Sequence, residues 1–281
     1  MFARKIISFI FIVIVPLVIW SCGSSAEYTS AKMAIEKSNW AEAEEYLFKA
    51  LEVEPANAEV MVQIGYHVHA KKREWAEMNK MFNQAIDIDP SAKVLGRPVT
   101  EITKNYRSMF WAENYNKAIR KYNESRKSQD KPALQSAADL FNETLAIDPN
   151  EAQTYSILAN CYYELGDSEK AVENAKKAHE LMPNEFRSNY TLGQILALTG
   201  QKENAIIYIE KAVEIEPNEQ GAVKQLAGLY YETGLKEKSI ETFELAIKQE
   251  PDKAAKANLY FNLGVLHMQL KNFQDAEDNF M

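Results

Sequence analysis

The histidines are the first side chains in this sequence that could bind a metal or move a proton. His67 and His69 lie two residues apart, a spacing that points them to different faces of a helix, so they do not make a metal-binding pair. His179 and His267 are isolated in the sequence. No His-Glu-x-x-His motif, phosphate-binding glycine loop or nucleophile elbow is present. We therefore predict no catalytic residue, no metal, no cofactor and no enzymatic activity.

The chain has two cysteines, which we expect to have different roles. Cys161 lies in a helical run, where a single cysteine is typical of a small core residue. Cys22 follows a positively charged start and a 15-residue apolar stretch, residues 6–20. That stretch has the length of a secretory signal and is shorter than the ~20 residues of a membrane-spanning helix. Residues 1–21 are therefore interpreted as a signal peptide.

The end of this signal, Ile19-Trp20-Ser21-Cys22, resembles the lipobox of bacterial lipoproteins. The resemblance implies that Cys22 carries a lipid and becomes the first residue, with residues 22–25 as a short tether to the membrane. Because Gly23 follows the cysteine where Asp would favour the inner membrane, it also implies the periplasmic face of the outer membrane. An uncleaved signal anchor, and a plain signal with an incidental cysteine, are the alternatives.

The composition restricts the class of fold and of partner. The formal charge of −8 becomes more negative when Arg4 and Lys5 leave with the signal. Phosphate binding needs a positive surface, so we do not expect nucleic acid as a partner. Hydrophobic residues make up 46% of the chain, while Gly and Pro number only 10 and 9, which argues against a β-rich or disordered protein.

Regularly spaced prolines divide the chain after the signal. They occur at positions 55, 90, 149, 183, 217 and 251, at intervals of 35, 59, 34, 34 and 34 residues. Asn or Asp directly follows four of them. Proline can start a helix but not continue one, and Asn and Asp cap helix N-termini, so each proline marks a junction between helices.

Small residues recur within each 34-residue unit, where two helices must approach closely. They are Ala159, Gly193, Ala227 and Gly264 in the first helix of a unit and Ala171, Ala205, Ser239 and Ala276 in the second. This pattern resembles the tetratricopeptide repeat. The resemblance implies an all-α fold, an α-α superhelix of antiparallel helix pairs over residues 26–281. We place the repeats at about 24–57, 58–92, 93–149, 150–183, 184–217, 218–251 and 252–281.

Three repeats depart from the regular length. The second has one extra residue, which we place in the turn near Lys72 and Arg73. The third is enlarged, and we assign its extra residues to a helix start at Pro98, a long helix over about 100–126 and a polar turn over 126–132. The seventh stops inside its second helix at Met281, so we expect the natural protein to continue.

The long helix of the third repeat carries aromatic and basic side chains that a partner could recognise, because aromatic residues and Arg dominate interface energies. The alternative is that the aromatic side chains pack on repeats 2 and 4. The residues of this possible partner surface are Phe110, Trp111, Tyr115, Lys117 and Arg120.

The tetratricopeptide resemblance also implies a concave groove that is lined by the first helix of each repeat and binds proteins or peptides. The positions that it assigns to the groove are Gln153, Ser156, Asn160, Tyr163, Glu164, Arg187, Tyr190, Gln194, Leu198, Lys224, Tyr231 and Glu232. We therefore expect a membrane-anchored scaffold or adaptor of the bacterial cell envelope. The alternative function is a sensor or transport accessory that holds a peptide or small ligand in the groove.

Overall fold

The computed structural model describes residues 24–281, so the signal peptide and Cys22 lie outside the described residues. Within this range the chain forms fourteen α-helices and one two-stranded hairpin, which confirms the all-α class. None of these helices has the length and apolar character needed to cross a bilayer. The described chain divides into two compact units.

Unit 1 contains residues 24–74 and 80–99. Its core is formed by large side chains with no exposed surface, among them Tyr28, Leu47 and Ile64. Its elements are α1 (Ala26–Glu36), α2 (Trp40–Val53), α3 (Ala58–Ile64), a π-helical turn (Gly65–His69), most of α4 (Trp75–Ile88), β1 (Lys93–Val94) and β2 (Arg97–Pro98).

The π-helical turn explains the extra residue of the second repeat. Arg73, the turn residue with positive φ, lies eight residues after Gly65, against seven residues between Ala159 and Gly166 in the regular fourth repeat. A π-helical hydrogen bond spans one residue more than an α-helical bond, so it absorbs an insertion inside the helix. The extra residue therefore lies in Gly65–His69, and its placement in the following turn was wrong.

Unit 2 contains residues 75–79 and 100–281. Each helix packs antiparallel on the next one along the chain, from α6 to α14. Its elements after the first turn of α4 are α5 (Val99–Ser128), α6 (Lys131–Ile147), α7 (Ala152–Leu165), α8 (Ser168–Leu181), α9 (Phe186–Leu198), α10 (Lys202–Ile215), α11 (Gln220–Glu232), α12 (Lys236–Gln249), α13 (Lys253–Gln269) and α14 (Phe273–Phe280).

The enlarged third repeat has the predicted long helix. Helix α5 is 30 residues long, which corresponds to about 45 Å. The polar turn predicted over 126–132 was wrong, because only Gln129 and Asp130 separate α5 from α6. Pro132 lies in the first turn of α6, where a missing N–H leaves no helical hydrogen bond unmade, so it begins a helix instead of extending a turn.

Close helix contacts in unit 2 account for the small residues. A Cβ atom on Gly193 would lie 2.6 Å from Cδ1 of Ile209, so only glycine lets α9 and α10 approach this far. Ser239 is fully buried and its hydroxyl donates a hydrogen bond to the carbonyl oxygen of Ala227 at 2.7 Å. Cys161 is also fully buried, as predicted for a core residue, and burial raises the pKa of its thiol to about 12.

Candidate functional site

The candidate site lies on one side of unit 2, on the first helices of repeats 4 to 6. Helix α7 packs against α9 and leaves a row of side chains accessible along both helices and α11. We call this row the first-helix face. Its predicted members that are exposed or half-buried are Gln153, Asn160, Tyr163, Glu164, Arg187, Tyr190, Gln194, Leu198, Lys224, Tyr231 and Glu232.

One predicted member is not accessible. Ser156 is only 3% exposed, so its assignment to the groove was wrong. It occupies the position in α7 that Tyr190 occupies in α9, and Tyr190 is half-buried. The serine side chain is too short to reach past its neighbours at this position, whereas the tyrosine ring is long enough. The size of the side chain at this position therefore decides whether that side chain is part of the first-helix face.

A pair of stacked rings lies at the start of α9. The rings of Phe186 and Tyr190 are 5.4 Å apart at an angle of 13°. The Tyr190 hydroxyl reaches α11, where it lies 3.6 Å from the point that a Cβ of Gly221 would occupy. Burial raises the pKa of Tyr190, and nearby Glu219 raises it further. Phe186 was not predicted, although an aromatic residue four positions before Tyr190 on one helix was the available signal.

The aromatic side chains of α5 are packed within unit 2. Trp111 donates a hydrogen bond from Nε1 to Oγ1 of Thr154 on α7 at 3.1 Å, and it stacks on Tyr115 at 4.7 Å. Tyr115 meets the edge of Phe141 on α6 at 5.7 Å. Phe110 lies 5.6 Å from Trp75. All three predicted aromatics pack against neighbouring helices and are half-buried, so the prediction that they protrude from α5 was wrong, although part of each ring stays accessible.

Tyr115 nevertheless adjoins the first-helix face. Burial raises the pKa of Tyr115 and the positive charge of Arg187 on α9 lowers it, so the two side chains are close enough to interact. Lys117 and Arg120, the basic residues assigned to the same surface of α5, are exposed. Tyr115 of the surface predicted on α5 is therefore near Arg187 of the first-helix face.

The carboxylates at the far end of the face are paired with bases from the preceding elements. Arg126 on α5 lies 3.6 Å from Glu164, which also accepts a hydrogen bond from Tyr122 at 3.3 Å. Lys202 on α10 lies 3.2 Å from Glu232. Exposed ion pairs of this kind contribute only about 0–1 kcal/mol to stability. Their main effect is to neutralise this end of the face.

Carboxylates also lie at the other end, at the N-termini of the first helices. Glu185 accepts a hydrogen bond from the backbone N–H of Ser188 at 2.9 Å, and Glu219 accepts one from Gly221 at 3.3 Å. Negative charge is favourable at a helix N-terminus. Glu151 also directly precedes its helix, α7, but its side chain makes no capping hydrogen bond, and burial raises its pKa. Acidic groups therefore surround the aromatic side chains at this end.

The two neighbouring histidines of unit 1 have different surroundings. The ring of His67 stacks on Trp40 at 5.6 Å, and Lys71 lies over the same Trp ring. Nδ1 of His69 lies 2.7 Å from a carboxylate oxygen of Glu74. Across residues 24–281, no three His, Cys, Asp or Glu side chains are grouped as a metal site would require.

Two family models, both described as Tetratricopeptide repeat, match the chain. One matches residues 152–185, and the other matches 186–219, 225–253 and 257–281. The matched segments amount to less than half of the 281 residues. Tetratricopeptide repeats are therefore confirmed in residues 152–281, which include the whole first-helix face. The matches indicate no catalytic family.

Similar chains occur among solved structures, whereas no curated protein matches significantly. MamA of Desulfovibrio magneticus RS-1 is 23% identical over 58% of this chain and 91% of that chain, with a TM-score of 0.47. YrrB, described as a TPR protein with an unusual peptide-binding site, is 19% identical over 70% and 88%, with a TM-score of 0.44. PilF of Pseudomonas aeruginosa is 16% identical over 79% and 88%, with a TM-score of 0.47. None of these similarities is close enough to transfer a function.

Proposed function

We propose that this chain, in which residues 152–281 are tetratricopeptide repeats, is a lipid-anchored interaction scaffold of the bacterial cell envelope. It holds a protein partner, through an extended segment of that partner, on the first-helix face. The observation that carries this proposal is the stacked pair of Phe186 and Tyr190, which lies beside the exposed Arg187 and whose Tyr190 hydroxyl reaches α11.

The polar side chains of the face suit the backbone of an extended peptide. Among the described residues, the side-chain amides of Asn160 and Gln194 have no hydrogen-bond partner, and both are half-buried. An amide that is partly desolvated and unpaired gains from binding a ligand that supplies both a donor and an acceptor. A peptide backbone supplies both at every residue.

The aromatic side chains and Arg187 suit the side chains of the same peptide. Aromatic residues and Arg account for most of the binding energy at protein interfaces. The stacked rings of Phe186 and Tyr190 provide a flat apolar surface, and Arg187 lies exposed between them in sequence. The ring of Tyr163 lies half-buried on α7 and that of Tyr231 on α11, at matching positions of their repeats. We therefore expect a partner segment with apolar side chains against Phe186 and Tyr190, since the carboxylates around this end of the face disfavour an acidic segment.

The envelope location is supported by the resemblance of Ile19-Trp20-Ser21-Cys22 to a lipobox. Two or three acyl chains hold a protein on a membrane durably, since each buried CH₂ contributes roughly 0.8 kcal/mol. Helix α1 begins at Ala26, so a lipid on Cys22 leaves only a few residues of tether. With Gly23 after the cysteine, we propose the periplasmic face of the outer membrane.

Site-specific photocrosslinking tests the binding face. A photoreactive amino acid is placed at Tyr190 or Tyr231, and at Ile207 on α10 as the control, because Ile207 is 59% exposed and lies on a second helix. In native membranes we expect one partner to crosslink at both tyrosine positions and not at Ile207. Equal products at all three positions, or none at either tyrosine, would contradict the proposed face.

Fractionation tests the anchor separately. Mass spectrometry of the mature protein should find a lipid on an N-terminal Cys22, and the Cys22→Ala variant should leave the outer-membrane fraction. A mature protein that begins elsewhere, or that stays in the membrane as Cys22→Ala, would disprove the lipoprotein assignment. Because the face and the anchor use different residues, each can fail without the other.

A further inference from the structure

The hairpin of unit 1 has an unusual residue at its tip. Strands β1 and β2 pair antiparallel, with Val94 opposite Arg97, so the turn consists of Leu95 and Gly96 alone. Both turn residues have positive φ, +51° for Leu95 and +80° for Gly96. A two-residue turn of this type strongly prefers Asn-Gly or Asp-Gly, because β-carbons are strained in the left-handed region.

Leu95 contributes nothing visible to the core of unit 1. Its side chain is 66% exposed, one of the most exposed large apolar side chains of the described residues. Its neighbour Val94 is fully buried, and the N–H of Val99 bonds the carbonyl oxygen of Ala92 at 2.8 Å, so the base of the hairpin is fixed. The hairpin thus holds a strained apolar side chain in solvent, which points to a role outside folding.

The hairpin lies close to the place where the chain enters unit 1. The N–H of Ser25 donates to a carboxylate oxygen of Glu54 at 2.5 Å, and the other oxygen accepts from Asn57, the N-cap of α3. Strand β1 packs on α3, a helix of seven residues and therefore about 10 Å long. The point where the chain enters unit 1 and the hairpin are therefore both next to α3.

The distance to an anchored bilayer is therefore short. Only Gly23 and Ser24 separate Cys22 from Ser25, and the three residue steps from Cys22 to Ser25 span at most about 10 Å. Val53, next to Glu54, is 60% exposed and adds apolar surface to this corner. The elements around the entry point must then lie near the lipid headgroups.

We propose that the hairpin tip is a membrane-contacting element, in which Leu95 inserts into the interface of the bilayer that carries the anchor. This inference rests on the proposed lipid at Cys22. The exposed Lys93 and Arg97 on the two strands lie at the level of the headgroup phosphates. Asp87 and Asp89 are also exposed just before the hairpin, and their negative charges offset those of Lys93 and Arg97, so the net attraction to anionic lipid is small. Burial of the Leu95 side chain therefore drives the contact.

Depth-dependent quenching tests this contact. An environment-sensitive fluorophore is attached to the Leu95→Cys variant of the mature lipoprotein in phosphatidylethanolamine and phosphatidylglycerol vesicles that contain brominated lipid. The native Cys161 is buried, with a pKa raised to about 12, so it stays unlabelled. The matched control is Ala41→Cys, exposed on the same unit near the far end of α2, twelve residues before Val53 and about 18 Å along the helix.

We expect quenching at position 95 to exceed that at position 41 by about twofold or more, with a blue-shifted emission at 95 only. Equal quenching at both positions, in protein whose lipid on Cys22 is verified by mass, would overturn the hairpin contact. Protein that lacks that lipid is labelled as the Cys22→Ala, Leu95→Cys variant, so that position 95 alone carries the probe, and quenching there would overturn the anchor and retain the contact. Protein without the lipid and without quenching would overturn both.

Discussion

The indole N–H of Trp111 donates to the hydroxyl oxygen of Thr154 at 3.1 Å and thereby joins the long helix α5 to the first turn of α7. Thr154 has no exposed surface. A hydrogen bond between a bulky side chain and a buried hydroxyl fixes both partners, because leaving either group unpaired in the interior is costly. Helix α5 is held in this way beside the first-helix face.

Removing this bond should destabilise unit 2. We expect Trp111→Phe to lower the free energy of unfolding by about 1–3 kcal/mol, since the ring shrinks and the Thr154 hydroxyl loses its partner. Thr154→Val should lower the free energy of unfolding less in the Trp111→Phe background than in the wild type, because the hydrogen bond between the two side chains is already lost. Urea denaturation of the four proteins of this double-mutant cycle measures the coupling, and strictly additive losses would contradict it.

Gly193 on α9 and Gly228 on α11, which lies one position further along its repeat, should respond oppositely to alanine. A Cβ at Gly193 would lie 2.6 Å from the Ile209 side chain, so we expect Gly193→Ala to lower the free energy of unfolding by about 1–3 kcal/mol. A Cβ at Gly228 meets no atom within 4 Å, so Gly228→Ala should raise it by up to about 1 kcal/mol through helix propensity. Thermal denaturation distinguishes them, and a gain in both variants would refute the close-packing argument.

Leu95→Asn should stabilise unit 1. Asparagine tolerates the left-handed region that leucine occupies at φ +51°, so we expect a gain of about 1 kcal/mol in the free energy of unfolding. Leu95→Ala is the matched control, because alanine keeps the strain and removes only the exposed apolar atoms. Chemical denaturation of the two variants checks the prediction, which fails if alanine stabilises as much as asparagine.

His67 should make unit 1 less stable in mild acid. Burial, and secondly the charge of Lys71, lower its pKa from 6.5 to about 4 in the folded protein. Between these values the unfolded chain binds a proton that the folded chain does not. Stability is therefore intact above about pH 6.5 and falls as the pH drops towards 4, by on the order of 1–3 kcal/mol.

A pH series of urea denaturation for the wild type and His67→Gln checks this dependence. The glutamine variant should show a flatter profile between pH 6.5 and 4, because glutamine does not titrate. Profiles that run parallel through this range would show that other groups determine the loss of stability in acid.

Features set by short-range chemistry could be predicted from the sequence. Gly166, Gly200 and Gly234 mark turns because their φ angles are positive, and each lies at a fixed distance from the proline that ends the repeat. Pro98 likewise predicted the start of α5 at Val99. A local backbone conformation of this kind requires a particular residue type, which can be recognised in the sequence. Because that residue recurs in each repeat, the prediction is strong.

Features set by long-range packing could not be predicted in the same way. The hairpin tip has Leu95 where Asn or Asp would have revealed the turn. Ser156 and Tyr190 hold equivalent positions, and only the size of the side chain separates a buried residue from an accessible one. The proximity of Tyr115 to Arg187 depends on how α5 lies beside the repeats, which no local pattern encodes.

The π-helical turn at Gly65–His69 changes how the second repeat must be compared with the others. An alignment of the repeats would ordinarily place its gap in a loop. Here the gap belongs inside the helix. If the gap were placed at Arg73 instead, Tyr66 and every residue after it up to Arg73 would be aligned one position away from its true equivalent. One position corresponds to about 100° around the helix axis. Residues at these positions would then be assigned to the wrong face, so the gap must precede them for equivalent side chains to be matched.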